Sequence, residues 1–283
     1  MTRNLLIIIG IGCAVISAAG IMYYTPLNVA RRSIDNKDRR IRIEALATLS
    51  DYCDKQSIPQ IRKLLYDNDD MVFLCAGNAL FHLNDRESLP EIRKFLEDKN
   101  PEKRASTLAI LSDFRDRESI PQMRKLLYDS HKPIFLWAGV ALSSCDDRES
   151  LPEIRKFLGD KDDNVRSATI YIIRRFKDKE SIPAIRKLIN DEKERVRSRA
   201  IDLLVELGDK ESIPEIRKFL NDKDIFIRCD SIRALGKLND KESIPLLKKL
   251  MNDEYKMVRV VAEEALRKLG VPEAEIEKAK EGK

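Results

Sequence analysis

Seven prolines, Pro59, Pro90, Pro121, Pro152, Pro183, Pro214 and Pro245, stand 31 residues apart. A fixed period of that size builds a stack of small like units, each sharing a core with its neighbours. Stacks of this kind present long surfaces and few enclosed pockets. The spacing therefore favours binding or scaffolding over catalysis, without saying what is bound.

More than proline recurs. Asp147-Arg148-Glu149-Ser150-Leu151 precedes Pro152, and Glu153-Ile154-Arg155-Lys156-Phe157-Leu158 follows it; Asp209 to Leu220 repeats the run almost residue for residue. An aspartate lies eight positions after each proline: Asp67, Asp98, Asp129, Asp160, Asp191, Asp222 and Asp253. Each unit reads as two helices. In the first, Ile58, Ile61, Leu64 and Leu65 form one stripe, with serine or the earlier aspartate as the cap and proline in the opening turn. In the second, Val196, Ala200, Leu203, Leu204 and Leu207 follow the 3.6-residue period. The column Ala45, Ala76, Ala138, Ala200, Ser231 and Ala262 is small and lets helices approach closely. With only 10 glycines and no alternating β-branched runs, strands are not expected.

The loop aspartate followed by Val165-Arg166, Val196-Arg197, Ile227-Arg228 or Val258-Arg259, and the run Ala234 to Leu238, resemble HEAT repeats. The form is the short one of phycobilisome-lyase-type HEAT-like proteins. The resemblance covers about residues 25–270 and implies an all-α fold: an α-solenoid of about eight 31-residue helical pairs. Phe73 and Phe135 replace the arginine of that motif, and both open Phe-Leu-x-Ala-Gly. Residues 57–118 and 119–180 agree at roughly 36 of 62 positions, which points to duplication of a two-repeat block.

From Leu5 to Met22 the chain is apolar and uncharged, 18 residues in all, enough to cross a bilayer. Tyr23 and Tyr24 sit where an interfacial belt would be. The expectation is a transmembrane helix over residues 1–24, then the solenoid over 25–270 and a polar cap or tail over 271–283. Rival readings of the first segment are a cleaved signal peptide (Arg3, Ser17, Ala19) and a lipidated Cys13. Arg31, Arg32, Arg39 and Arg40 follow the apolar run as a lipid-facing basic flank and, by the positive-inside tendency, put the solenoid in the cytoplasm. Cys53, Cys75, Cys145 and Cys229 lie in different units without pairing spacing, which suits a reducing compartment.

Arg62-Lys63 and its repeats form two basic columns, which would suit anionic lipid or nucleic acid. Glu87, Glu118, Glu149, Glu180, Glu211 and Glu242 form a matching acidic column, and 53 basic residues against 48 acidic leave a net charge of only +5. Local neutralisation is the favoured reading and nucleic acid is not the expected partner. The loop aspartates and Val-Arg arginines recur in nearly every unit, so they read as a ladder that fixes stacking; catalysis needs one convergent site. His82 and His131 lack metal-ligand spacing. No phosphate loop, nucleophile triad or His-Glu pair is present, the last setting the chain apart from HEAT-type iron hydroxylases. No cofactor is expected, nor enzymatic activity.

The strongest functional signal lies on the second helices. Counting 100° per residue from the core column puts Leu74, Asn78, Phe81, Leu136, Val140 and Tyr171 outward, with Trp137 at the margin. The equivalent positions further on are Ser198, Asp202, Cys229 and Arg233. A face that changes from apolar and aromatic to charged is expected to dock a helix or extended peptide of another protein. The competing expectation is that tight stacking buries these side chains. A second functional reading is an accessory or lyase-type subunit like those acting on bilins.

Overall fold

The computed structural model describes residues 25–281, and every regular element among them is helical. The chain divides after Ser119 into two compact units. The first holds three helical pairs: α1 (Pro26–Ser33) with α2 (Arg39–Asp51), α3 (Ile58–Lys63) with α4 (Asp70–His82), and α5 (Leu89–Lys94) with α6 (Pro101–Phe114). The second holds five: α7 (Ile120–Leu126) with α8 (Pro133–Ser144), α9 (Leu151–Lys156) with α10 (Asp163–Phe176), α11 (Ile182–Leu188) with α12 (Glu194–Glu206), α13 (Ile213–Lys218) with α14 (Ile225–Lys237), and α15 (Ile244–Leu250) with α16 (Lys256–Lys268). A last helix, α17 (Glu273–Glu281), follows, with Ile276 fully buried.

Inside each unit the second helices pack on one another in chain order. The small column makes this possible: Ala76, Thr107, Ala138, Thr169, Ala200, Ser231 and Ala262 are all fully buried. Gly77 and Gly139 go further. A Cβ on Gly139 would overlap Ile172 Cδ1 and stand 2.7 Å from Cγ1, and Gly77 meets Ile110 in the same way. These are the two glycines of Phe-Leu-x-Ala-Gly, so the motif marks close contact of α4 with α6 and of α8 with α10.

The loop aspartates shape the turn between paired helices. Asp67, Asp98, Asp160 and Asp222 each accept the backbone N–H two residues on, at 2.8–2.9 Å. The residue receiving that turn then caps the second helix: Asp69, Asn100, Asp162 and Asp224 accept N–H bonds from the first turn. Of the motif arginines, Arg166 and Arg228 reach the next loop aspartate, while Arg197 and Arg259 bond only to backbone carbonyls of their own loops. Arg166 grips Asp191 through two bonds of 2.7 Å while donating to the Asp160 carbonyl at 2.9 Å; Arg228 reaches Asp253. Where phenylalanine stands instead, aromatic contact replaces the ion pair. Phe73 meets Phe95 at 4.9 Å and Phe135 meets Phe157 at 4.6 Å, with Tyr66 and Tyr128 on the far side of those rings.

A second ladder was not foreseen. In seven of the eight first helices an arginine reaches an aspartate 23 residues on; α15 carries Lys248 instead. Arg31 holds Asp54 (2.8 and 2.5 Å), Arg62 holds Asp85 (2.8 and 2.5 Å), Arg93 holds Asp116 (2.7 and 2.6 Å) and Arg155 holds Asp178 (2.8 and 2.7 Å). Arg124, Arg186 and Arg217 do the same with Asp147, Asp209 and Asp240. Glu87, Glu118, Glu149, Glu180, Glu211 and Glu242 add a second, exposed carboxylate to these guanidiniums. The arginine half of the basic columns is therefore neutralised within the fold. The repeated serines, expected as caps, make no side-chain cap bond at Ser57, Ser88, Ser150, Ser181 or Ser243. Their hydroxyls instead donate to the clamped aspartate, as Ser57 does to Asp54 at 2.6 Å. The carboxylate's bonding capacity draws the hydroxyl away from the helix terminus.

The same aspartate also closes the preceding second helix. Asp54 N–H donates to the Leu49 carbonyl at 2.9 Å and Cys53 N–H to Ser50 at 3.0 Å, with Cys53 left-handed (φ 52°). This is the helix-ending motif that glycine normally serves. Asn84, Arg115, Asp146, Lys177 and Asn239 occupy the same left-handed position, and Gly208 and Gly270 take it without strain.

The expectation of a single-pass membrane protein with a cytoplasmic solenoid is corrected. The longest described helices have 14 residues, and no described helix is long and apolar enough to cross a membrane. A span needs about 20 predominantly apolar residues; here the apolar side chains line cores shared by short helices. Residues 5–22, where the anchor was expected, lie outside the described residues. Of the basic flank, Arg31 is bound to Asp54 and Arg39 to Asp69 at 2.9 Å, while Arg32 and Arg40 are exposed.

Two outcomes follow. Asp54, Asp85, Asp116, Asp178 and Asp240 are all held below the usual carboxylate range. For Asp54 the Arg31 bond is the main cause. For the other four, burial pushes upward and is outweighed by the arginine and serine bonds together. A depressed carboxyl stabilises the fold above its unfolded value of about 3.9 and loses that contribution as pH falls through the folded value. Urea midpoints should stay level from neutrality to about pH 5, then fall steeply below about pH 4; a midpoint that rises on acidification would contradict the ladder's role. Gly139→Ala should destabilise the chain by about 1–2 kcal/mol despite alanine's better helix propensity. Adding Ile172→Val, which removes the overlapping Cδ1, should restore part of the loss, and thermal unfolding of both variants checks this.

Candidate functional site

The second helices of the larger unit supply the surface on which the sequence placed its strongest signal. Four solvent-side bonds set their register. Arg175 Nε on α10 donates to Ser143 Oγ on α8 at 2.7 Å. From α12, Arg195 Nη2 donates to Asp163 Oδ2 at 2.9 Å and Arg199 Nη1 to the Ser167 carbonyl at 3.1 Å. Ser198 Oγ donates to Asp230 Oδ2 on α14 at 2.5 Å. Each joins residues 32 apart, and Arg175 and Arg195 also reach Ser144 and Asn164, 31 residues away.

Of the predicted residues, Trp137 is 42% exposed and Tyr171 39% exposed. Leu136 and Val140 are half-buried beside Trp137 on α8. The competing expectation, burial of the whole set by tight stacking, does not hold for these side chains. Leu74, Asn78 and Phe81 lie on α4 in the smaller unit and are half-buried. The Phe81 ring packs edge-on against Phe114 at 5.3 Å and lies beside His82 at 5.4 Å. Asp202 and Arg233 are exposed and Ser198 half-buried, but Cys229 is 1% exposed and is not an outward residue. This register borders core and solvent: at 31-residue spacing Ser198 is half-buried and Val260 exposed, while Cys229 turns into the core.

The charged end of this face is ordered. Arg174 lies 3.0 Å from Glu206, and Arg233 pairs with Asp230 at 3.1 Å. Burial, with Asp230 nearby, pushes the Asp202 carboxyl up. Burial and the neighbouring Arg195 and Arg174 push the Arg199 guanidinium down. Arg175 and Arg199 were missed in the sequence because each looked like one more surface charge. Phe226 (58% exposed) and Val260 (43%) were missed as well; Phe226 stands two positions before Arg228, next to a column read as core.

Other groups lack the features of a reaction centre. A cavity of about 730 Å³ in the smaller unit is an open bowl lined by Asp35, Lys37, Arg42, Lys63, Tyr66 and Asp67. Arg42 already binds Asp67 there at 3.0 Å. Glu263, Glu273 and Glu277 bring carboxylate oxygens within 4.8 Å of one another. The fold fills that cluster with its own cations: Lys280 lies 3.0 Å from Glu263 and 2.6 Å from Glu277, and Arg267 lies 2.7 Å from Glu273. His82 and His131 are exposed and lie in different units.

Residues 136–194 and 182–267 match the family model of HEAT repeats. No curated protein matches the chain. Among solved structures, YibA of E. coli aligns over 92% of this chain and 100% of its own at 17% identity, with a TM-score of 0.62. Kap95p, in its complex with RanGDP, aligns over 87% of this chain and 41% of its own at 12% identity, TM-score 0.62. The CpcE–CpcF complex of phycocyanin lyase from Nostoc sp. PCC7120 covers 87% of this chain and 94% of its own at 16% identity. Its TM-score of 0.47 is too low to carry weight. HEAT repeats are thus matched over residues 136–267, and the fold of the described residues is that of helical-repeat proteins.

Proposed function

We propose that this chain is a non-catalytic protein-binding module. Its partner, a helix or an extended peptide, docks on the second helices of the larger unit around Leu136, Trp137, Val140 and Tyr171. One observation carries the reading. The single tryptophan and Tyr171 are both exposed on adjacent helices, with Leu136 and Val140 half-buried beside the tryptophan. Aromatic side chains of this kind are the usual anchors of protein interfaces. The fold supports such a role without specifying it: Kap95p, of like fold, binds RanGDP. The charged side chains of α12 and α14 set the orientation of the docked segment.

Trp137→Ala combined with Tyr171→Ala tests this. Replacement of two anchors should weaken capture of the native partner by roughly 100-fold or more, with helical content unchanged by circular dichroism. Capture equal to that of the unaltered chain would remove this face from consideration.

A further inference from the structure

Arginines in the larger unit are, with few exceptions, matched to carboxylates. Arg124, Arg155, Arg166, Arg186, Arg217 and Arg228 all hold aspartates. Arg197 and Arg259 donate to the carbonyls of their own helix-opening loops, and on the face that carries Tyr171 it is Arg175 and Arg199 that meet neutral partners. Arg175 donates to two hydroxyls, Ser143 Oγ at 2.7 Å and Ser144 Oγ at 3.2 Å, and Arg199 to one carbonyl, that of Ser167, at 3.1 Å. Both flank Tyr171. Arg175 is one helical turn beyond it on α10, and Arg199 is bonded to the residue one turn before it.

Guanidinium groups with only neutral partners beside exposed aromatic rings form a two-part surface, apolar on one side and cationic on the other. The acids of the same face are largely taken: Glu206 faces Arg174, Asp163 faces Arg195 and Asp230 faces Arg233 and Ser198. Asp202 is exposed on this face, and the cations that act on it are Arg174 and Lys237, not Arg175 or Arg199. We propose that the segment docked here is acidic as well as apolar: its apolar side chains cover Trp137 and Tyr171 while its carboxylates bind Arg199 and Arg175. This inference rests on the reading above that the face binds protein. Guanidinium is suited to the task because its planar fork matches a carboxylate with two parallel bonds, and charge-assisted bonds are about twice as strong as neutral ones. Arg199 is crowded by Arg195 and Arg174, so an arriving carboxylate relieves repulsion in addition to making bonds. An apolar flank suits a peptide better than a phosphate backbone, since the arginine column of the first helices is already neutralised.

The test selects short random peptides displayed on phage against the purified full chain. Selected sequences should be enriched in Asp or Glu together with Leu, Phe or Trp. Synthetic copies should lose about tenfold or more in affinity to Arg199→Glu, as to Trp137→Ala, while Lys187→Glu on α11 leaves affinity unchanged. Arg199→Gln serves as the milder variant if Arg199→Glu loses helicity. Peptides that need Trp137 but bind Arg199→Glu and Arg199→Gln undiminished would overturn the acidic partner and leave the docking face standing. Peptides indifferent to Trp137 as well, or no selected binders, would overturn both. Binding of single-stranded oligothymidine through Trp137 and Arg199, without acidic peptides, would also overturn the proposal in favour of a nucleic acid.

Discussion

One buried aspartate per repeat holds these stacks in order. Asp178 shows how much converges on it. Its N–H ends α10 by bonding the Ile173 carbonyl at 3.3 Å, its carboxylate takes both arms of Arg155 at 2.8 and 2.7 Å, and the Ser181 hydroxyl donates to it. The first helix of one pair, the end of the second helix and the start of the next pair thus meet at a single side chain. At 4% exposure the carboxylate is desolvated, so a lost partner leaves an unpaired buried charge, which is among the costliest defects a fold can carry.

This clamp also sets what each helix shows to solvent. With one end of a second helix fixed, the remaining freedom is its rotation, and side-chain bonds between α8, α10, α12 and α14 restrict it in the larger unit. Trp137 and Tyr171 are consequently held outward on helices whose opposite faces are core: Ala138 and Ile172 are fully buried one residue away from each. The close approach at Gly139 belongs to the same design, because it brings α8 and α10 together and places Trp137 and Tyr171 on neighbouring rows. A binding face of this kind needs no pocket. It needs rigid rows and a local change in residue type.

The 31-residue spacing was enough to read the helical pairs, the small buried column and the loop ladder of Asp191 with Arg166. It was enough because those features repeat, and repetition filters out local accident. The clamp at Asp54, Asp85 and their equivalents was hidden, since an aspartate before Arg-Glu-Ser or Lys-Glu-Ser looks like a solvent-side turn residue and the serine after it like a helix cap. Only the three-dimensional path of Arg62 brings the partner from 23 residues away. Trp137 and Tyr171 were found by helical counting, whereas Cys229 was misplaced because its register lies at the border of core and solvent, half-buried at Ser198 and exposed at Val260. Arg175 and Arg199 escaped notice because a charge without a partner cannot be told from a paired one in sequence. The membrane location was inferred from the apolar run of residues 5–22, Tyr23 and Tyr24, the basic flank and the unpaired cysteines, and no described helix is long and apolar enough to cross a membrane.

A double-mutant cycle on Arg155 and Asp178 tests the clamp directly. Urea unfolding of Arg155→Met, Asp178→Asn and the double variant should give a coupling energy of about 1–3 kcal/mol, each single change costing more than it does once the other is made. Losses that add within about 0.3 kcal/mol would mean that the two side chains are neighbours and nothing more, and that something else holds the pairs in register.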